Sequence, residues 1–184
     1  MTHDEVAEIG ARWLRRNGYP MAFANLRSNV ATEQPDALGF NDIAESFLLE
    51  AKISRADFLA DKKKPWRANG NGIGWRRGYI APEGIIKPEE VPYGWWLLEV
   101  YGKTKPKVRI VKGIAYEQAS AQERAVSMSG RRMVFRHGDQ QEFAPREGYS
   151  FRGETMWLLK IIRRMQQAGI PVEDYHRHPQ QRDE

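Results

Sequence analysis

The order of predicted helices and strands assigns this chain to the α/β class, with a mixed β-sheet. An amphipathic helix opens the chain, three strand-like runs and a second helix follow, and two or three further strands complete the core. This succession is typical of α/β folds, in which helices cover a sheet. The 184 residues are 41% hydrophobic and include six tryptophans, enough for one domain with an extension.

The first helix is predicted over residues 2–17. Thr2 and Glu5 have the spacing of a capping box, in which each side chain accepts the backbone N–H of the other residue. Gly18 is expected to end the helix, because glycine readily adopts the left-handed conformation found at helix C-termini. Four apolar residues recur at helical spacing and form one stripe: Val6, Ile9, Trp13 and Leu14.

Three strands are predicted next, separated by polar connections. The run "MAFANLRS" at 21–28 is the first, "PDALGF" at 35–40 the second, and "SFLLEAKIS" at 46–54 the third. The third run is almost continuously apolar, which is typical of a buried strand. A short turn, "NDIAE", joins the second run to the third.

The second helix is predicted over "SRADFLADKKKPW", residues 54–66. Ser54 is placed to cap this helix, and Asp57 lies in its first turn. Lysines crowd its last turn before Pro65, and a Gly/Asn loop, "ANGNGIGW", follows. This helix should therefore return the chain from the third strand to the fourth.

The remaining strands of the core are predicted after that loop. "RRGYIAP" at 76–82 is a strand candidate, and a Pro-bounded excursion separates it from "YGWWLLEVYG" at 93–102. The turn "KTKP" then leads into "KVRIVKG" at 107–113, the expected hairpin partner of the preceding strand.

The pattern weakens beyond a core domain of residues 1–113, and residues 114–184 are predicted to form an extension packed on it. Within the extension, residues 117–128 fit a helix and residues 131–137 fit a strand. Residues 154–168 make a convincing amphipathic helix, followed by a loose tail.

The apolar face of the helix at 154–168 is expected to pack on the core. The alternative is that this helix binds a protein partner or a second copy of the chain in a homodimer. The residues assigned to the packed face are Trp157, Leu158, Ile161 and Ile162.

Composition limits the classes of function. The formal net charge is +5, which fits a polyanionic partner such as nucleic acid, although a merely basic protein has the same charge. The chain has no cysteine, which excludes disulfides and thiolate metal sites and fits a reducing cytoplasm. The N-terminal residues contain no apolar signal-peptide region, and no run is long enough for a membrane span. We therefore expect a cytoplasmic protein without a membrane partner.

An acid and a base interrupt the apolar third strand. Alternation places Glu50, Lys52 and Ser54 on one face of this strand, and Asp36 reaches the same edge if the second strand pairs beside it. Two converging carboxylates suit Mg²⁺ or Mn²⁺, which polarises a phosphodiester and lowers the pKa of a bound water. Lys52 would then orient that water or stabilise charge in the transition state. The alternative is an ordinary salt bridge between strands.

The chain resembles the PD-(D/E)XK nuclease superfamily at these positions. "PD" at 35–36 and "EAK" at 50–52 match the motif, with thirteen residues between Asp36 and Glu50. The run "LLEAKISRADFLADKKKPWR" and the later "YIAPEGIIKPEEVPYGWWLLEV" further resemble bacterial MmcB-like DNA-repair proteins. The resemblance covers roughly the first 113 residues. It implies a restriction-endonuclease-like α-β-β-β-α-β core, to which the C-terminal helical extension is added.

The resemblance also implies an activity and its residues. Asp36 and Glu50 would be ligands of Mg²⁺ or Mn²⁺, and Lys52 would be the catalytic lysine. Glu5 matches an acid that many members contribute from the first helix, although an exposed capping residue is the alternative for it. The implied function is a metal-dependent nuclease that hydrolyses DNA in repair, recombination or phage and host DNA processing. The competing hypothesis is a non-catalytic nucleic-acid-binding module, or a protein-interaction module such as an inhibitor or adaptor, on the same fold.

Basic residues cluster after the motif and predict a nucleic-acid-binding surface. Several cations on one side of a cleft would neutralise successive phosphates. Trp66 and Trp75 flank the Gly/Asn loop and either stack on an unpaired base or anchor the loop in the core. The predicted phosphate-binding residues are Arg55, Lys62, Lys63, Lys64, Arg67, Arg76 and Arg77.

Overall fold

A computed structural model describes most of the predicted core and one helix of the extension. The described residues are 1–27, 33–42, 44–61, 72–102, 104–113 and 150–169. The predicted helix at 117–128 and the predicted strand at 131–137 lie outside these ranges. Four of the predicted phosphate-binding residues and one tryptophan also lie outside them: Lys62, Lys63, Lys64, Arg67 and Trp66.

A six-stranded mixed sheet forms the centre of the fold, with its strands in sequence order from one edge to the other. The three consecutive strands β3, β4 and β5 are parallel, and the remaining pairs are antiparallel. The predicted α/β class and mixed sheet are therefore confirmed. The strands are β1 (Met21–Ala24), β2 (Ala37–Phe40), β3 (Ser46–Ala51), β4 (Arg76–Pro82), β5 (Trp95–Tyr101) and β6 (Lys107–Lys112).

Within the described ranges, three α-helices flank the sheet, α1 (His3–Arg16), α2 (Arg55–Asp61) and α3 (Phe151–Gln167), and a 3₁₀ turn spans Pro88–Glu90. The described core therefore has the predicted order: a helix, three strands, a helix and three further strands. Among the described residues, no helix is long and apolar enough to cross a membrane.

The ends of the first two helices form as the sequence predicts. The capping box of α1 is present, with Thr2 and Glu5 each bonding the other's backbone N–H. Gly18 follows the last turn with a φ of 94°, in the left-handed region that glycine adopts without strain. At α2, the hydroxyl of Ser54 accepts the N–H of Asp57 at 3.1 Å, and Asp57 accepts the N–H of Ile53 at 3.4 Å.

The two faces of the sheet are covered by different helices. Phe47, Leu49 and Ala51 of β3 point to the face that packs against α1. The other face carries two apolar clusters, one centred on α3 and containing Leu48, the other on α2 and containing Tyr79. Alternation therefore places Glu50 on the α2–α3 side of the sheet, between two apolar clusters.

Helix α3 packs against the sheet through buried polar contacts as well as apolar ones. The indole of Trp157 is 1% exposed and donates its N–H to the carbonyl oxygen of Glu33 at 3.2 Å. The carboxylate of Glu154 accepts the N–H of Gly74 at 2.8 Å and the hydroxyl of Ser46. These bonds join α3 to β3 and to the segment before β4.

The predicted packed face of α3 is correct in part. Trp157 and Ile161 are buried and Leu158 is half-buried, but Ile162 is 40% exposed, so the prediction for Ile162 is wrong. Ile162 lies one residue beyond Ile161, a rotation of about 100° that turns its side chain out of the contact. The boundary between core and extension, and binding of a partner or second copy through α3, stay predictions.

We predict that Trp157→Ala destabilises the fold by about 3–5 kcal/mol, because it removes a buried ring and leaves the carbonyl of Glu33 without its indole donor. The matched control is Leu159→Ala on the same helix, which should change stability by less than about 0.5 kcal/mol because Leu159 is 61% exposed. Urea denaturation measures both. Equal, small effects would mean that α3 contributes little to the folded core.

Candidate active site

The register of two strands brings the predicted metal ligands together. β2 pairs antiparallel with β3, and Leu38 lies opposite Leu48 while Ala37 lies opposite Leu49. Asp36 directly precedes β2, and extending this register by one pair places it opposite Glu50. The condition under which Asp36 reaches Glu50, pairing of the second strand with the third, is therefore met.

Glu50 and Lys52 are both buried, with side chains 5% exposed. β3 ends at Ala51, but the N–H of Lys52 still bonds the carbonyl of Ile80 at 3.0 Å, which continues the pairing with β4. The Lys52 ammonium nitrogen lies 3.6 Å from a carboxylate oxygen of Glu50. Two opposite charges are thus held side by side in a site from which water is largely excluded.

A third ionic group, the carboxylate of Asp61, completes this arrangement. Asp61 is the last residue of α2 and is 1% exposed. One of its oxygens lies 3.3 Å from the Lys52 ammonium, and the other accepts the hydroxyl hydrogen of Tyr79 at 3.0 Å. Our sequence analysis did not assign Asp61 to the site. The available signal was its position three residues after Phe58, which places both side chains on the buried face of α2.

Arg77 lies inside the site rather than on a phosphate-binding surface. Its side chain is 1% exposed, pairs with Glu33, and lies 3.9 Å from a carboxylate oxygen of Glu50. The guanidinium also stacks over the ring of Trp95, at 4.8 Å from its centroid. β4 lies between two parallel strands under a helical layer, so a side chain directed to that layer is buried. Glu33 is a further site residue that the sequence analysis missed.

The neighbouring Arg76 is also buried, at 8% exposure, with its guanidinium 3.4 Å from the carboxylate of Glu45. Both arginines are therefore buried in contacts with carboxylates, and their predicted binding of nucleic acid stays a prediction. Arg55 is exposed, but both terminal nitrogens pair with Glu90, and this hydrogen bonding raises the pKa of Arg55. A phosphate at Arg55 would have to compete with Glu90.

Asp36 is held in an environment that disfavours its charge. One of its oxygens accepts the N–H of Ala51 at 2.9 Å and lies 3.3 Å from Nε2 of His3. Burial raises the pKa of Asp36 most, and the negative charge of Glu50 raises it further. His3, Lys52 and the Ala51 N–H offset only part of this effect. The two predicted metal ligands therefore repel each other, as carboxylates sharing one site do.

The first helix contributes a residue to the site, but a different one from the residue predicted. Glu5 is exposed, and its carboxylate accepts the N–H of Thr2 at 2.7 Å in the capping box. His3, two residues earlier, is the α1 side chain that contacts Asp36. The structure thus gives Glu5 its capping role, and we do not include it in the candidate site.

Asn25 adds a strained position beside Asp36. Its φ is 52°, its N–H bonds the carbonyl of Asp36 at 2.7 Å, and its side-chain amide reaches the carbonyl of Asp4 at 3.5 Å. Its side-chain oxygen is buried and has no hydrogen-bond partner among the described residues. Strained residues and unsatisfied polar atoms of this kind are costly, and they concentrate at functional sites.

The charges of the cluster leave room for a cation. Two basic side chains, Lys52 and Arg77, lie among four carboxylates, so acidic groups outnumber basic ones in the cluster. Within the described ranges, no three acidic or histidine side chains are grouped closely enough to hold a metal alone. Mg²⁺ commonly takes one or two carboxylates and completes its shell with water and substrate phosphate, which fits the donors present. The four carboxylates are those of Glu33, Asp36, Glu50 and Asp61.

No protein-family model matches the chain, and no curated protein matches it. Among solved structures, the chain is similar to the SPO1766 protein of unknown function from Silicibacter pomeroyi. The two share 22% sequence identity with a TM-score of 0.46, over 71% of this chain and 84% of that chain.

We predict that Asp36→Asn stabilises the protein at neutral pH, by about 0.5–2 kcal/mol, the usual range of single stabilising substitutions. Because the pKa of Asp36 is raised in the folded state, folding takes up a proton between the unfolded value of 3.8 and the raised value. Wild-type stability therefore falls as pH rises through this window, and the cost is fully present above it.

Thermal melts recorded between pH 4 and pH 8, in steps of about one pH unit, test this expectation. The advantage of Asp36→Asn should shrink as the pH falls toward 3.8, since wild-type Asp36 then becomes neutral. Asp42→Asn is the control at an exposed aspartate and should show no such trend. A variant that is less stable than wild type at pH 7 would contradict the electrostatic description of Asp36.

Proposed function

We propose that this protein is a metal-dependent nuclease with a restriction-endonuclease-like core that hydrolyses phosphodiester bonds of DNA. The observation that carries the proposal is the grouping of Asp36, Glu50 and Lys52 in one cluster of interacting charges. Asp36 and Glu50 are neighbours on adjacent strands, and their charges interact. The Lys52 ammonium is 3.6 Å from Glu50. The order of elements that surrounds the motif supports the same proposal.

Each residue of this group has a defined task in the proposed reaction. Asp36 and Glu50 would hold Mg²⁺ or Mn²⁺, which relieves the repulsion that raises the pKa of Asp36. The metal, when bound, polarises the phosphodiester and lowers the pKa of a water molecule. Lys52 places a positive charge beside the metal ligands, where it orients water or stabilises negative charge developing on the phosphate.

Nucleic-acid binding in this proposal depends on the basic run that follows α2. Asp61 is part of the site, and the next three residues in the sequence are lysines. Lysine side chains that follow a site directly in the sequence are suited to binding the phosphates of a bound nucleic acid. Because Arg76 and Arg77 are buried, this run carries the proposed interaction with phosphates, together with Arg67.

A second candidate function is a non-catalytic module on the same fold, which binds nucleic acid or acts as a protein inhibitor or adaptor. The observation that favours it is the internal neutralisation of Glu50. Lys52 and Arg77 lie 3.6 Å and 3.9 Å from its two oxygens, and the Glu50 side chain is 5% exposed. In this case the charged cluster would only stabilise the fold, and added metal would change neither the melting temperature nor the cleavage of DNA.

We predict Mn²⁺-dependent cleavage of labelled DNA that stops when EDTA is added. The substrate panel contains single-stranded, duplex, flap and branched DNA, with RNA of matched sequence. Lys52→Ala should lower turnover by about 10²–10³-fold, as the loss of a comparable electrostatic donor does. Glu50→Gln should abolish both activity and metal binding. Lys105→Ala, at an exposed lysine of the β5–β6 turn, is the control and should cleave at the wild-type rate.

Thermal melts of the same variants separate catalysis from structure. If Lys52 serves only as a salt-bridge partner, its removal takes the shared ammonium from two buried carboxylates, at a cost of up to about 3–5 kcal/mol. A Lys52→Ala protein that is folded at the assay temperature but inactive supports the nuclease. A wild-type protein that binds DNA and cleaves nothing on the panel would favour the non-catalytic module.

A further inference from the structure

We infer that Asp61 is a positioning residue for Lys52, held in place by the hydroxyl of Tyr79, and this inference rests on the proposed nuclease function. The Lys52 ammonium lies between two carboxylates, 3.3 Å from Asp61 and 3.6 Å from Glu50. Asp61 comes from α2, whereas Glu50 and Lys52 belong to β3 and the residue that follows it. The position of the lysine charge is therefore set by two different elements of the fold.

Asp61 keeps the Lys52 charge from being taken up entirely by Glu50. A lysine side chain is a flexible stem with a point charge, so its location depends on the groups that attract it. Without Asp61, Glu50 would be the nearest carboxylate, and the Lys52 ammonium would pair with this proposed metal ligand. Asp61 offers a second attraction at a slightly shorter distance. An ammonium has three N–H donors, so a lysine held between two carboxylates can also donate to water or a phosphate oxygen.

Tyr79 fixes which way the Asp61 carboxylate faces. Its hydroxyl donates to one oxygen of Asp61 at 3.0 Å, and the other oxygen is the one that approaches Lys52. The Tyr79 ring is itself packed edge-on against Phe58 at 5.2 Å and tilted against Trp95 at 5.1 Å. Phe58 belongs to the same helix as Asp61, and Tyr79 lies opposite Glu50 in the β3–β4 register. Rigid strands and packed rings hold such a group more accurately than a loop does.

The burial of Asp61 indicates that this carboxylate has a role beyond packing. Asp61 and Tyr79 are each 1% exposed, and Tyr79 belongs to an apolar cluster with Phe58 and Leu97. A carboxylate in such surroundings destabilises the fold unless a partner compensates it. An apolar residue at position 61 would fill the same space without this cost. The acid therefore has a use that packing alone does not supply, and its contact with Lys52 identifies that use.

A double-mutant cycle on the cleavage rate tests this inference. Asp61→Asn keeps the shape and removes the charge, and it should lower kcat by about 10–100-fold, as changes in the residues supporting a metal site do. KM for DNA should stay within about twofold, because the basic run that binds phosphates is unchanged. In a Lys52→Met background, Asp61→Asn should cause no further loss, since it acts only through Lys52. Tyr79→Phe should lower kcat in the same direction by a smaller factor.

Asp57→Asn is the matched control on the same helix, because its carboxylate bonds the N–H of Ile53 at the start of α2. This variant should leave basal cleavage unchanged at a temperature where it is folded. Equal loss of kcat from Asp61→Asn in the wild-type and Lys52→Met backgrounds would overturn the inference, and so would an unchanged kcat in the wild-type background.

The melting temperatures of the wild type, the two single variants Lys52→Met and Asp61→Asn, and the double variant provide a readout that does not depend on activity. The Tm shifts of Lys52→Met and Asp61→Asn should be non-additive, since each removes one partner of the same contact. If the wild type cleaves no substrate with Mn²⁺, the proposed function fails, and the Tm cycle alone decides whether Asp61 holds Lys52. Additive Tm shifts would overturn that contact.

Discussion

The burial of the Glu50–Lys52 ion pair is the constraint on which the rest of the site depends. Both side chains are 5% exposed, on a sheet face whose apolar residues form two clusters. Charges in such surroundings are tolerated only with close, oriented partners. The fold supplies them from two directions, because Asp61 approaches from α2 and Arg77 from β4. The same burial removes water from the cluster, which strengthens each electrostatic interaction within it.

This requirement links distant parts of the chain. Arg77 approaches Glu50 while its guanidinium pairs with Glu33, and the backbone of Glu33 accepts the indole N–H of Trp157 from α3. The C-terminal helix is thus connected to the candidate catalytic carboxylate through two intermediate residues. On the other side, Asp36 is held between the N–H of Ala51 and His3 of α1. Helices on both faces of the sheet therefore contribute contacts to one polar site.

The sequence predicts the elements better than it predicts the partners of charged side chains. The helix caps and the succession of helices and strands along the chain follow from local signals such as Thr2–Glu5 spacing and strand alternation. The burial of Arg76 and Arg77 does not, since adjacent arginines are typical of a surface and their partners, Glu45 and Glu33, are more than thirty residues away. The position of Glu5 in the first helix fits both a site acid and a helix cap, and the structure shows the cap. That His3 reaches Asp36 follows only from the fold, which brings α1 beside this residue. The role of Asp61 required knowledge that α2 ends over β3.

The binding of Mn²⁺ to Asp36 and Glu50 is the central claim, and a thermal melt with added MnCl₂ tests it most directly. A ligand at a hundred times its Kd stabilises the folded state by about 2.7 kcal/mol, which is about 5–11 °C in Tm for a chain of this size. The wild type should show this shift, and Asp36→Asn and Glu50→Gln should lose most of it, while Asp42→Asn keeps it. Equal shifts in all four proteins, or none in the wild type, would contradict the claim that these two carboxylates form a metal site.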